Sequence, residues 1–292
     1  MPQVQAGICA KAVAMLVVVS FLFGHNAMGQ QDAKRQQDAK ARKDAKAQAI
    51  VRPASLRFDK ASAGDAPDFQ KHVVPLLGRL GCNSAKCHGS FQGQGGLRLS
   101  LFGFDFDGDH AALIAEAESE EGRRLSEQVP SNSLILQKPT LQLDHEGGKR
   151  IEPGSWEHHL LLRWIVGGAK PASRAKILSR LETRPQEIVF GKKGETAQLK
   201  VIAVWEDGSR EDVTCLCRFR VNDDAVASVD RDGRAASIGR GDTHVVAFYD
   251  NGVAAVPVMR PVSDVVPGAG AAKRAANHGD PIDRFVGAKL AK

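Results

Sequence analysis

The sequence predicts a multidomain chain in which an all-α domain over residues 67–170 is followed by an all-β sandwich over residues 183–262. Two changes of period carry this reading. Apolar residues recur at helical spacing at Phe69, Val73, Leu76, Leu77 and Leu80, and again from Trp156 to Ile165. Beyond Lys170 the period falls to two, and Asp207-Gly208, Asp232-Gly233 and Asn251-Gly252 mark turns between short apolar runs. A basic, proline-containing stretch, 171–182, reads as a linker between separable domains. At 292 residues the chain is long enough for two ordinary domains with connecting segments.

The first element is a leader. Lys11 supplies a positive start, Ala12 to Phe23 is an apolar run too short to span a bilayer comfortably, and Ala27-Met28-Gly29 offers a small-x-small cleavage site. Residues 1–29 therefore read as a signal peptide, with export to the periplasm, the cell surface or beyond and no stable membrane span after cleavage. Cleavage would remove Cys9 and leave Cys82, Cys87, Cys215 and Cys217, which an oxidising compartment favours as modified groups over lasting free thiols. Residues 30–66 follow as a disordered linker. They repeat a Gln-Gln-Asp-Ala-Lys theme, nearly without large apolar side chains, and cannot bury a helical face.

The net charge of +6 invites a nucleic-acid reading, but its distribution argues against one. Residues 30–66 hold nine Lys/Arg against five Asp/Glu, residues 67–170 eleven against thirteen, and residues 183–262 eleven against twelve. The basic excess belongs to tails and linkers, so no nucleic-acid partner is expected.

In the first domain a helix starts after Asp68 and ends before Gly81, delivering the chain into Cys82. Glycine-rich turns, an apolar stretch from Leu97 to Phe102 and a helix from His110 to Glu120 follow. A last helix runs from about Trp156 and stops at Gly167-Gly168. In the second domain strands are expected at Glu187–Phe190, Ala197–Val204, Val213–Val221, Val226–Val229, Ala235–Ile238, Val245–Tyr249 and Val253–Val258. Residues 263–292 form a tail in which a new helix begins at Pro281.

The segment Cys82-Asn-Ser-Ala-Lys-Cys87-His88 is the chemically richest part of the chain. Two thiols can add to the two vinyl groups of one haem, and the adjacent imidazole then falls beneath the iron. The spacing is two residues longer than the usual C-x-x-C-H, and the extra residues can bulge outward without separating Cys87 from His88. A Cys82–Cys87 disulfide is the alternative. A tetrahedral zinc site is disfavoured, because neighbouring Cys87 and His88 do not easily reach one metal.

Several motifs in the same order resemble a planctomycete-type cytochrome c-like domain. They are Phe69 to His72, Val74-Pro75, Gly81-Cys82-Asn83, Cys87-His88-Gly89, Gly95-Gly96, Leu99-Ser100-Leu101, Gly122-Arg123-Arg124, His145-Glu146-Gly147-Gly148, and Trp164-Ile165 with Gly168-Ala169. Residues 183–262, with Asp207-Gly208-Ser209 and Asp212-Val213-Thr214, look like a group 2 bacterial Ig-like domain. Pro281-Ile282-Asp283 resembles the first turn of a larger third domain, as though the chain were cut at its start. The resemblance implies covalent haem c and its iron on Cys82 and Cys87, with His88 as proximal ligand.

The opposite axial position is open to argument. The single Met beyond residue 29 is Met259, in the sandwich. His145, in a glycine-rich loop where a c-type fold usually places its distal ligand, leads His72, His110, His158 and His159, with an open site and a plain surface histidine as alternatives. Arg123 and Arg124 read either as partners of the haem propionates or as a solvated pair. The functions compared are an exported haem protein for electron transfer or redox sensing, working with a redox partner protein, and a haem-free extracellular binding or adhesion module. The Ig-like domain would serve as a spacer or bind a cell-surface or extracellular polymer. No residue constellation indicates an enzyme beyond a haem iron.

Three further patterns are weighed and set aside. His145-Glu146-Gly147-Gly148-Lys149 lacks the second histidine of a zinc-protease helix and contains two glycines. Asp105, Asp107, Asp109 and Glu116 match a calcium loop, but His110 stands where the sharp turn needs Gly, and Asp109 reads instead as a helix cap. Cys215 and Cys217, two apart on a strand, would be strained as a disulfide and read as small core residues.

Overall fold

The computed structural model describes residues 49–61, 64–115, 122–172, 177–262 and 280–290. The expected leader at residues 1–29, the repeats of the expected spacer, Glu116 and most of the tail lie outside them.

Asp68 starts the first helical stretch, its carboxylate accepting from Lys71 N at 2.8 Å. A single wide turn, Phe69–Val73, in which Val74 N–H reaches Phe69 O, leads into a helix at Val74–Leu80. Gly81, in the left-handed conformation, ends it. Helices Phe106–Ile114, Leu134–Gln137 and Trp156–Val166 follow, after a one-turn helix at Ala54–Arg57; numbered in chain order from Ala54–Arg57, these are α1 to α5, and Pro281–Leu290 is α6. Apolar side chains at Phe69, Val73, Leu76, Leu77 and Leu80 bury against Leu160, Leu161, Trp164 and Ile165 of α5.

The β structure comprises eleven strands in three sheets among the described residues. The first sheet is ordered β1-β6-β5-β2, from Ile50–Val51 (β1), Arg210–Asp212 (β6), Lys200–Trp205 (β5) and Leu178–Arg184 (β2). The second is β3-β11-β10-β7, from Ile188–Val189, Gly252–Arg260, Gly241–Tyr249 and Arg218–Val221. The third is β4-β9-β8, from Thr196–Gln198, Arg234–Ser237 and Ala227–Val229. Pairing is antiparallel except where β1 meets β6 and β3 meets β11. In β10 every second side chain from Thr243 to Tyr249 is buried, as a strand with one face on a core requires.

An all-α first domain followed by an all-β sandwich is not what the chain builds. The described fold is mostly β, with few and short helices, and only the β part meets the expectation. Gly81, Gly89, Gly93, Gly95, Gly96 and Gly103 break the chain between α2 and α3 into turns, so Leu97 to Phe102 runs as loop. The helix expected from His110 instead begins at Phe106, because Asp105 rather than Asp109 caps it, accepting from Gly108 N at 3.0 Å. β structure also reaches outside its expected range at both ends of the helical segment. Ile50–Val51 pairs with β6, and the stretch read as a linker contains the start of β2. Among the expected strands, Ala197–Val204 divides at Leu199, whose N–H turns to Gly233 O at 2.9 Å and passes the chain between sheets. Val213–Val221 is interrupted by a tight turn, Thr214–Leu216, that holds both buried cysteines in or beside it.

The physical reason for the correction is that the helices do not close a core by themselves. Residues 50–292 cluster as one compact unit, and one buried cluster takes in Phe58, Phe69, Leu76 and Trp164 together with Val201, Trp205, Leu216 and Tyr249. Polar contacts cross the same boundary. Arg57 Nη1 and His72 Nε2 both meet Glu211 Oε1, at 2.6 and 2.9 Å. Tyr249 donates to Lys71 O at 2.8 Å, and Gln70 donates to Asp250 at 2.7 Å.

Candidate functional site

After α2 the chain folds back on itself within seven residues. Cys82 N–H donates to Leu77 O, Cys87 N–H to Ser84 O at 3.0 Å, and His88 N–H to Cys82 O at 2.9 Å. The two residues in excess of the usual spacing are absorbed by this turn: Ala85 and Lys86 are exposed, while Asn83 packs inward and takes Phe102 N–H on its carbonyl. Cys82 and Cys87 are half-buried free thiols. Burial pushes the Cys82 thiol up to about 12, so at neutral pH it keeps its proton.

His88 is held by backbone. Its Nδ1 lies 3.1 Å from both Gln94 O and Leu97 O. A carbonyl only accepts, so Nδ1 carries the proton and the Nε2 lone pair is left free. The turn that brings Leu97 O to the ring needs glycine at position 93. Gly93 sits at φ +71°, and a Cβ there would stand 2.2 Å from Leu97 O. Burial lowers the His88 pKa from its ordinary value; the two carbonyl bonds oppose this, and the charges of His145 and Arg124 add to it. The imidazole is thereby kept neutral, the form that ligates.

His145 is oriented in the same manner. Its Nδ1 donates to Gly148 O at 2.9 Å, again freeing Nε2. The His88 and His145 rings stand 10° from parallel with centroids 6.4 Å apart. An imidazole nitrogen lies roughly 2 Å from a bound metal and, with ring bonds of about 1.3 Å, roughly 1.1 Å from its own ring centre. Two imidazoles holding one metal from opposite sides therefore have centres roughly 6 Å apart. The observed centres are separated by about that distance in a stacked arrangement, and both rings have the second-nitrogen anchoring typical of metal-ligating histidines. Among the described residues no group of three or more His, Cys, Asp or Glu side chains is placed to hold a metal ion. A macrocycle that fills four coordination positions needs only two such ligands, and the donor set fits haem on that ground.

His72, His110 and His159 are committed elsewhere. His72 is buried between Asp68 N–H and Glu211. His110 Nε2 bonds Ala169 O at 2.7 Å, with the ring edge-on to Phe69 and Trp164. His159 Nδ1 bonds Phe58 O, and His158 packs beside His159. Arg124 spends its donors on main chain, bonding Ala112 O at 3.0 Å and Gly96 O at 2.7 Å, which ties the glycine loop to α3. Arg123 is exposed, and its carbonyl takes Leu134 N–H.

In the stretch set aside as a calcium loop, Asp109 turns back to Ser100, accepting from its hydroxyl at 2.8 Å. Cys215 Sγ accepts from Ser55 N–H and Cys217 donates to Val213 O, both buried. The functional parts that sequence reasoning missed are the Gln94 and Leu97 carbonyls and the bare Cα of Gly147. A backbone acceptor leaves no mark in residue type; the density of glycines from 89 to 96 was the available sign.

No protein-family model matches the chain, and no curated protein matches it. Among solved structures, domains 5-6 of the S-layer protein SbsC are similar at 18% identity and a TM-score of 0.27, over 32% of this chain and 48% of that one. A TM-score that low carries no argument about fold or role.

Proposed function

We propose that the chain is an exported c-type haem protein that passes single electrons or senses redox state, with the β-rich part as spacer or binding module for an extracellular partner. The observation that carries this reading is the parallel His88–His145 pair at 6.4 Å, each ring anchored through Nδ1 to a backbone carbonyl. Cys82 and Cys87 would hold the haem as thioethers, and His88 and His145 would ligate its iron. Bound haem supplies a reversible one-electron iron couple, at a lower potential for two imidazoles than for His/Met. The chain's own residues fix the Nδ1–H tautomer at both rings and keep His88 neutral by burying it, and the one methionine among the described residues, Met259, lies in β11. The leader at residues 1–29 supports delivery to a compartment where haem attachment takes place.

The test is production of the full chain in a host with periplasmic haem-attachment machinery. Expected are a mass gain of one haem that survives acid-acetone extraction, a low-spin ferric spectrum, and no near-infrared sulfur-to-iron band. His145→Ala should turn the iron high-spin and open it to cyanide, while His88→Ala should impair haem incorporation. Haem-free protein with a Cys82–Cys87 disulfide would instead favour the extracellular binding module.

A further inference from the structure

Away from the imidazole pair, a cleft of about 280 Å³ opens between α2 and the turn joining β10 to β11. Its walls are apolar, from Val74, Pro75, Phe102 and Phe248, yet two arginines line it. The Arg218 guanidinium stands over the rings of Phe102 and Phe248, at 4.1 and 4.8 Å from their centroids. Ring faces attract its charge but do not replace strong acceptors for its five N–H donors, and among the described residues no carboxylate or carbonyl accepts from it. Arg79 is the second arginine. Its side chain is only 6% exposed, and its Nη2 pairs with Asp232 and its Nη1 with Arg231 O, so it is spent on the turn between β8 and β9.

The cleft also stores backbone strain. Phe102 holds φ +63°, a left-handed conformation that costs a bulky residue energy and that clusters where a site is built. That conformation carries its ring to Arg218. On the opposite wall Asp250 has both carboxylate oxygens engaged, one by Gln70 and one by Asn251 N–H. The cleft guanidinium that meets no acceptor among the described residues is that of Arg218.

We infer that this cleft binds a small molecule carrying a carboxylate on a flat apolar body, the carboxylate facing Arg218 and the body lying against the apolar walls. The inference does not depend on haem at Cys82 and Cys87. A planar fork suits a carboxylate, and stacking on the rings presents that fork at low entropic cost. The test is calorimetric titration of the full chain with 3-phenylpropionate and with its uncharged analogue 3-phenylpropionamide. The acid should bind roughly tenfold to a hundredfold more tightly than the amide, as for a charge-assisted hydrogen bond. Arg218→Met, with an unchanged circular dichroism spectrum, should reduce the acid to the amide's affinity. If that variant does not fold, Arg218→Lys, which keeps the charge and loses the fork, should fall between the two. Equal affinity of acid and amide for the wild-type chain, or no binding of the acid, overturns the inference without recourse to any variant.

Discussion

Gly147 matters for what it lacks. A Cβ at that position would lie 2.7 Å from His145 Cε1 and 3.0 Å from its Nε2, so Gly147→Ala should swing the imidazole off its carbonyl anchor. In haem-loaded protein the expected result is the same low-spin to high-spin change as in His145→Ala, with stability to urea altered by less than about 1 kcal/mol. His88 and His158 give a second prediction. Burial lowers both pKa values from their ordinary value of 6.5. The unfolded chain therefore binds their protons first as pH falls, and the folded state loses stability through and below pH ~6.5. Melting curves of the haem-free chain between pH 5 and 7 should show that decline, and His88→Gln should flatten it. A flat wild-type profile would remove the argument that burial keeps His88 neutral. At this scale His88 and His145 were legible because their residue types and spacing announce ligand chemistry. Gly147 was legible only as a helix breaker, since its role lies in the space beside another side chain.

Among the elements, the helical stretch from Phe69 to Leu80 was readable, since Asp68, five apolar positions at helical spacing and Gly81 all agree, but nothing in it marked Phe69–Val73 as a wide turn preceding α2. β1 and α1 were not, because Ile50 to Phe58 carries no period and sits in a stretch of linker composition. Packing decides there. Phe58 is fully buried, Ser55 N–H reaches Cys215 Sγ, and Arg57 bonds Glu211. Phe58→Ala should cost about 3–5 kcal/mol by chemical denaturation, a loss no spacer residue would produce. Burial alone would raise the Glu211 pKa, but the His72 hydrogen bond and the charges of His72, Arg57 and Lys71 hold it below its ordinary range. Its contribution is therefore present above pH ~4.3 and is lost as pH falls below that value. Glu211→Ala, which leaves His72 Nε2 without its carboxylate partner and Arg57 with Asp65 alone, should destabilise the fold by about 3 kcal/mol at neutral pH and abolish that acidic decline. β2 escaped notice for a different reason: Leu178–Arg184 is polar at most positions and stays half exposed along its length, so its strand character comes from pairing with β5 and not from its own side chains.

For the whole molecule, the shared core makes a calorimetric prediction. If Trp164 and Trp205 belong to one buried cluster, the haem-free chain should unfold in a single transition whose calorimetric and van't Hoff enthalpies agree. Two resolved transitions would restore the separable domains that the change of period suggests. Period reports the local shape of each segment, whereas the cluster depends on which segments face each other, and that information is spread over residues more than a hundred positions apart. The Tyr249 hydroxyl on Lys71 O and the Glu211 carboxylate between Arg57 and His72 have a consequence for how such a sequence is inherited. A module that recombines freely carries its own core with it. Here a crossover between residues 170 and 183 would deliver a sandwich with Tyr249 and Glu211 stripped of their partners, and a helical segment without the Val201, Trp205, Leu216 and Tyr249 side chains that complete its core. The heritable unit is therefore the stretch from Ile50 to Arg260, and new architectures containing either half should be found to carry both.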